Sequence, residues 1–387
     1  MVISRRRFLQ TAGITLIAVA GGVVVRSVDQ GVFAVGQGPA YDTWRTWRSD
    51  AATPQERVVM AGILASNPHN SQPWLFRIEP DVITLYADIT RQIGTIDPFL
   101  REMTIGLGCA VENMLLAARA EGLQPELQLM PDPADRTQVA RIALSAGARE
   151  TSALYEAIPN RHTDRAAYDT TRALPAAIFQ DLAALNDATD VRLFWFESAE
   201  QRARFGDVAI RASQALVSDE QQSIDSHVWW RHQWAAIQQL QDGLTLDVQG
   251  LDDAILAAAK VIPDASRAQN DQTFVQMVST VQVPSAAAFG IMAVRDGADA
   301  VQRLRTGQYW QRMHLWATTQ GLSMHPLNQM CERADREQQL GIEPEFGSAV
   351  QALLEDADWT GIMPFRIGYP TRLTRLSPRR TLDKVLV

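Results

Sequence analysis

Cysteine is nearly missing from this chain: Cys109 and Cys331 are the two thiols in 387 residues. That number gives neither a metal-ligand spacing nor a disulfide framework. Both read as buried thiols, with a single bridge between them left open. Positive charge is also in short supply. Thirty-six Lys and Arg stand against 44 Asp and Glu, for a net charge of −8, and that sign argues against a phosphate-rich nucleic-acid partner. The uncharged apolar run at residues 12–25 has fourteen residues, short of the roughly 20 that a membrane-spanning helix needs. No H-E-x-x-H, P-loop or G-x-S-x-G string occurs, and no strand-to-helix turn carries G-x-G-x-x-G. Zincin, nucleotide-triphosphatase, α/β-hydrolase and Rossmann chemistry are left without a motif.

What is present is enough apolar material, 46% of the residues, for one large or two medium domains. Ten Trp is a high number, and four of them cluster as Trp44, Trp47 and the pair Trp229–Trp230. An internal repeat stands out. The stretch from Gly108 to Leu123 and the stretch from Gly307 to Leu322 share Gly108/Gly307, Met114/Met313, Leu116/Leu315, Ala118/Ala317, Gly122/Gly321 and Leu123/Leu322 at one constant offset. Both predict an amphipathic helix closed by a C-terminal Gly. The offset is half the chain, so duplication of a lobe is the economical account, with convergent helix patterning as the alternative.

The first lobe is expected over residues 41–150: a helix at 54–66, strands at 75–78 and 82–87, the central helix, and a strand near Gln128. The second, over 151–387, restarts near Leu154, with a helix at 176–185 and a strand at 191–196. It includes an extra helical segment, rich in Gln and aromatics, at about 215–285.

Two strings carry chemistry. Ser66-Asn67-Pro68-His69-Asn70-Ser71-Gln72-Pro73-Trp74 is a polar, Pro-interrupted loop that enters a strand; alone it is any turn before a strand. Arg161-His162-Thr163-Asp164-Arg165 gathers two guanidiniums, an imidazole and a hydroxyl; alone it is a helix start capped by Thr163 or Asp164. Together they resemble the two halves of the flavin mononucleotide (FMN) site of the nitroreductase family, an N-x-Q-P-W loop and an R-H-[ST]-x-[RK] cluster. The order is swapped and both halves lie in one chain, as in the Acg branch of that family. The resemblance implies an α+β, FMN-dependent nitroreductase-like fold: two related lobes forming a pseudo-dimer, monomeric as a chain, with a helical lid at about 215–285. The alternative for that segment is a peripheral helical hairpin.

From the same resemblance come the site residues. Arg161, His162, Thr163 and Arg165 face the phosphate, joined by Arg379 and Arg380 near the C-terminus, where a solvated tail is the alternative. Asn67, Pro68, His69 and Asn70 approach the ring. The segment Gly321-Leu322-Ser323-Met324-His325-Pro326-Leu327-Asn328-Gln329 matches the family's G-L-x-x-x-P-[IL] run, which places Pro326, Leu327, Asn328 and Gln329 beside the ring's reactive edge. Asn328 and Gln329 depart from the Glu-Gly of many relatives. His325 reads as a structural histidine, with proton donor as the alternative. The implied activity is hydride or electron transfer through the flavin to a small nitro-, quinone-like or unknown substrate. No metal and no catalytic side chain are called for; the alternative is a flavin-sequestering protein with little turnover.

The N-terminal string Ser4-Arg5-Arg6-Arg7-Phe8-Leu9-Gln10 resembles a twin-arginine export signal, and residues 1–34 fit a signal peptide cut after Ala34. The expectation is export to the periplasm or another extracytoplasmic space, with the twin-arginine translocase as partner. An uncleaved anchored form is the alternative.

Overall fold

The computed structural model describes residues 24–387. The twin-arginine string lies outside the described residues, as does most of the apolar run after it. From residue 24 the chain enters helix α1 (Pro39–Thr46) and then α2 (Pro54–Ile63). Thr53 and Glu56 form a reciprocal capping box at the start of α2, and Pro54 presets its first turn. The helix stops at Ile63 rather than at Ser66. Pro68 lies just beyond, and the chain must turn there into the loop before β1.

Strands β1 (Trp74–Glu79) and β2 (Val82–Ala87) form an antiparallel hairpin, followed by the 20-residue helix α3 (Arg101–Ala120), β3 (Leu123–Leu129) and β4 (Gln138–Ala146). The sheet order is β1-β2-β4-β3 with every neighbouring pair antiparallel. Short helices α4 (Ala153–Ala157) and α5 (Ala176–Ala184) lead to β5 (Val191–Phe196).

Between β5 and the next strand the chain makes five helices: α6 (Ala199–Ser218), α7 (Glu220–His227), α8 (Trp234–Leu240), α9 (Asp253–Val261) and α10 (Arg267–Met277). Then come β6 (Ala288–Val294), the 20-residue α11 (Ala300–Thr319), β7 (Ser323–Pro326), α12 (Gln329–Leu340), α13 (Glu345–Leu354) and β8 (Thr360–Gly368). The second sheet has order β5-β6-β8-β7, again antiparallel throughout. Each sheet therefore has the same connectivity, a long helix running from its second strand to its third. The second differs by helices inserted before β6 and before β8.

The two long helices cross on the glycines marked by the repeat. A Cβ on Gly108 would lie 2.1 Å from the Leu304 carbonyl oxygen, and one on Gly307 would lie 1.9 Å from that of Ile105. Only Gly permits this backbone approach. One continuous apolar core runs through the crossing, joining Trp74, Phe76 and Met114 to Trp310, Met313 and Phe365. A second core, including Phe205, Phe289 and Phe346, lies between sheet two and helices α6, α12 and α13.

The two ends of the described chain reach across the molecule. The C-terminal residues pair with β1: Phe76 N–H donates to Val385 O at 2.7 Å, and Val387 N–H donates to Phe76 O at 3.0 Å. At the other end, Arg26 donates to the Val261 and Ile262 carbonyls at 2.5 and 3.1 Å. Gln30 donates to Gln233 Oε1 at 2.7 Å, and Gly31 sits against the Trp234 ring. Among the described residues, no helix is long and apolar enough to cross a membrane.

Candidate functional site

The loop after α2 is built from side chains bonding to backbone. Asn67 Oδ1 accepts from Gln72 N–H at 2.7 Å. His69, Asn70 and Gln72 all take positive φ, 49°, 53° and 52°, a region that Asn visits readily and that His and Gln enter only when their surroundings fix them. Those surroundings come from remote segments. Arg379 donates to Asn70 Oδ1, and Asn70 Nδ2 donates to Pro378 O at 2.9 Å and Gly243 O at 3.2 Å. Gln72 Oε1 accepts from Arg380 N–H, and Gln72 Nε2 donates to Gln241 O, both at 2.8 Å. The loop is thus stitched to the C-terminal tail and to the turn at 241–243.

The Arg161–Arg165 string is not a helix start. It is a loop, buried at Arg161 and Asp164 and half-buried between and after them, held from behind by Arg366. That guanidinium is fully buried and donates to Asp164 O at 3.0 Å, Ala166 O at 2.9 Å, Gln282 O at 3.2 Å and His325 Nδ1 at 3.2 Å. Asp164 turns the chain by accepting from Ala166 N–H at 2.9 Å. Because Arg366 always donates, His325 Nδ1 is the unprotonated nitrogen and Nε2 carries the proton. Burial, then the Arg366 charge, holds that ring neutral, with a pKa well below the ordinary imidazole value.

Between these loops lies a cavity of about 270 Å³, near the lower end of small-molecule sites. Asn67, Pro68 and His69 line it from the first loop, Thr163 and Arg165 from the second, and His325, Pro326, Asn328 and Gln329 from the end of β7 and the start of α12. Cys109 and Trp310, from the crossing helices, and Met363 add to its apolar wall. The fourth wall comes from residues 216–282, with Trp230, Leu244, Phe274 and Met277 among its apolar members. Several buried polar atoms of cavity-lining residues have no partner: Asn270 Nδ2, Gln282 Oε1, Asn328 Oδ1 and Gln329 Oε1. Orphans of this kind cost stability unless a bound molecule satisfies them.

The sequence-singled residues divide into two sets. Asn67, Pro68, His69, Thr163, Arg165, Pro326, Asn328 and Gln329 line the cavity. Arg161, His162, Asn70, Leu327, Arg379 and Arg380 lie behind it. Arg161 donates to Leu64 O at 3.1 Å and Ser66 Oγ at 2.9 Å, leaving Nε without a partner. His162 packs edge-on against Trp44 at 4.6 Å. Leu327 is fully buried in the second core, and Arg380 donates to Gln72 O at 3.3 Å.

Burial shapes the charges. It is the main cause that lowers Arg161 to about 10, Arg165 to about 10, His69 to about 4 and His162 to about 3. Neighbouring guanidiniums push Arg165, His69 and His162 the same way: Arg366 on Arg165, Arg165 on His69, and Arg161 on His162. A region with this much uncompensated positive charge favours an anion. Glu102 and Glu332, which also line the cavity, carried no signal in the motif reading; each is a lone acid in a helix's first turn. Cys109 and Cys331 are both free and buried, with no bridge between them. Among the described residues no group of side chains is arranged to hold a metal ion.

No family model matches the chain. Over 135 residues it is 34% identical to a Mycobacterium tuberculosis protein named "Putative NAD(P)H nitroreductase"; the match covers 34% of this chain and 38% of that protein. A second M. tuberculosis relative, an uncharacterized protein, is 26% identical over 357 residues, covering 86% of this chain and 92% of its own. The chain thus matches well under half the length of the relative that bears the nitroreductase name. Among solved structures, it is similar to an FMN- and NADPH-dependent nitroreductase of Sphigopyxis (TM-score 0.41, 16% identity, 60% of this chain and 97% of that one). It is also similar to an FMN-dependent nitroreductase of Mycobacterium smegmatis in complex with NADPH (TM-score 0.35, 15% identity, 60% and 96%).

Proposed function

We propose that this chain is an exported FMN-binding oxidoreductase of the nitroreductase type, a fused pseudo-dimer whose helices α6–α10 cover the flavin. One observation carries the reading. Three segments singled out by their motifs, the Asn67–His69 loop, the Thr163–Arg165 loop and the Pro326–Gln329 run, are far apart in sequence and line one cavity. The pseudo-dimer reading is supported by the two sheets of identical order and by the α3–α11 crossing on Gly108 and Gly307.

The residues fit the cofactor. Arg165 supplies charge-assisted donors and Thr163 a hydroxyl for a phosphate. Trp310, Pro68 and Met363 offer apolar surface to a flat ring, and the orphaned amides of Gln282 and Asn270 offer hydrogen bonds to its polar edges. When bound, the flavin supplies hydride or electron transfer at its N5. The chain's own task is to bind, orient and exclude water. His325 holds its proton on Nε2, and the residue 216–282 wall restricts access to the cavity.

That wall also favours a second reading, a flavin-storing protein with little turnover, since a covered ring leaves no room for a nicotinamide to stack. One experiment tests both: the absorbance spectrum of the purified chain, with and without dithionite under anaerobic conditions and with NADPH. A spectrum of about one FMN per chain, bleached by dithionite, is expected. A colourless protein that refuses added FMN overturns the flavin reading. Rapid NADPH-driven reduction of a nitroaromatic overturns the covered-site model. Bleaching by dithionite while nicotinamides fail favours storage or another donor. Replacing Arg5 and Arg6 together with Lys is expected to retain the protein in the cytoplasm, read by fractionation.

A further inference from the structure

The cavity wall holds a second group of polar side chains for which the flavin has no use. Glu102 projects from the first turn of α3, and Glu332 from the first turn of α12, with Asn328 at that helix's N-cap and Gln329 beside it. All four line the cavity. The two carboxyls are hydrogen-bonded to each other, and the Asn328 amide lies beside Glu102. A hydrogen bond between two carboxyls requires one proton held between them.

Asn328 Oδ1 is buried with no partner. Gln329 is 8% exposed, and its Oε1 is likewise buried without a donor. The two amide oxygens thus lack a donor, and the carboxyl pair shares a single proton.

The surroundings leave the patch with excess negative charge. Asp97 accepts from Glu102 N–H at 3.1 Å and Met103 N–H at 2.9 Å. Asp335 accepts from Arg101 Nε at 2.7 Å. Arg101 is the guanidinium bonded within the group: it reaches Glu102 at 3.3 Å and donates to Ile362 O at 2.7 Å. Arg303 lies nearby but donates to Gly297 O and Phe99 O, both at 2.7 Å. Cys331 adds no charge, because burial pushes its thiol up to about 12. Four carboxyls thus stand against one bonded guanidinium. Burial raises Glu102 to about 7, with Arg101 lowering and Asp97 raising it, and puts Glu332 well above the ordinary range.

Proton retention is one way to neutralise such a group; a cation is the other. The absence, among the described residues, of a side-chain group arranged for a metal ion turns the choice to an organic cation. Ile105, Leu216 and Met363 border the same space, so its body is apolar.

We propose that this part of the cavity is a subsite for a protonated primary amine carried on an apolar body. The ammonium replaces the shared proton and donates to the carboxylates of Glu102 and Glu332 and to the amide oxygens of Asn328 and Gln329. The balance is simple: R–NH3+ enters and the carboxyl pair releases one H+ to solvent, so total charge is conserved. The site goes beyond the flavin reading and does not depend on it; a colourless protein would still bind the amine.

The test is calorimetric titration of the full chain, as purified, with benzylamine and with benzyl alcohol at pH 6, in two buffers of different ionisation enthalpy. Benzylamine is expected to bind once per chain, at least tenfold more tightly than the alcohol, with close to one proton released. Glu332→Gln keeps the volume and donates to Glu102 in place of the shared proton. In that variant amine affinity is expected to fall at least tenfold and proton release to vanish, while alcohol binding is unchanged. Melting curves establish that the variant folds. Should it not fold, Gln329→Leu serves instead, with amine affinity expected to fall severalfold and alcohol binding to hold. Equal binding of amine and alcohol overturns the proposal. So does no amine binding at millimolar concentration, or a folded variant with wild-type amine affinity.

Discussion

Arg161 and Arg165 stand four residues apart and are engaged differently. Arg161 donates to the Leu64 carbonyl and the Ser66 hydroxyl, so it holds the end of α2 against the start of the cavity loop. Arg165 has one long bond to Val248 O at 3.4 Å and lines the cavity. Arg165→Ala is therefore expected to weaken FMN binding about 10- to 100-fold, by loss of a charge-assisted bond, with little change in melting temperature. Arg161→Ala is expected to cost about 3 kcal/mol of stability, since it strips donors from buried acceptors. Fluorescence titration with FMN and urea denaturation separate the two. His69 adds a pH effect. Burial, then Arg165, lowers its ring from 6.5 to about 4. Its contribution is complete above pH 6.5, where both states are neutral, and is lost as pH falls toward 4, because the unfolded ring takes up a proton that the folded one refuses. The full shift is discounted for the ring's partial exposure, leaving about 2 kcal/mol. His69→Asn suits the positive φ and is expected to lose less stability between pH 6.5 and 4 than the parent. Parallel acid dependence of the two melting temperatures would remove this account.

Helices α3 and α11 turn a sequence repeat into an architecture. Gly307→Ala places a methyl 1.9 Å from the Ile105 carbonyl and 2.9 Å from Cys109 N. The helices must separate, which is expected to cost about 3 kcal/mol or more. Gly321, the repeat's closing glycine, has nothing within 4 Å of its Cβ position and a φ of +66°. There Ala is expected to cost about 1 kcal/mol through backbone strain alone. Urea titrations of the two variants check the ranking. The repeat was legible because the two helices carry glycine at matching positions, at the crossing and at the cap. Strands β2 and β5 were legible at both ends because short apolar, β-branched or aromatic runs lie between turn residues. Strand β6, by contrast, is buried at all seven positions, so it shows no alternation to read. Helix α6 was missed although a full capping box opens it at Ser198 and Gln201. The motif loops were readable as strings, but their division of labour was not. Nothing local tells that Arg379 serves Asn70 or that Glu102 lies beside Glu332, since such pairs, more than 200 residues apart, come together only in the folded chain.

At the scale of the whole molecule, two of the places that hold the helices between β5 and β6 differ in character. One is the turn at 241–243. Gly243 N–H donates to Asn70 O at 3.0 Å, Gln72 holds Gln241 O, and Asp242 pairs with Arg91 and Arg231. The other is the segment from residue 24 to α1. Arg26 and Gln30 bond to α9 and to the residue before α8, and Gly31 O accepts from Lys260 at 3.5 Å. Lys260 also pairs with buried Asp247 at 2.7 Å. A cut after Ala34 removes Arg26, Gln30 and Gly31 but leaves the 241–243 turn intact. A chain beginning at residue 35 is therefore expected to exchange amide hydrogens at 253–262 at least tenfold faster than one beginning at residue 24. Protection at 241–244 should hold in both. Since α9 is joined to the cavity wall through residues 244–251, the shorter chain is also expected to release FMN faster, by a smaller factor. Hydrogen-exchange mass spectrometry on the two forms reads the first effect, and stopped-flow flavin release the second. Equal exchange at 253–262 would mean that contacts outside the 24–34 segment, among them Lys260–Asp247 and Arg375–Asp253, hold the helix. Faster exchange at 241–244 as well would mean that the helices between β5 and β6 open as one body.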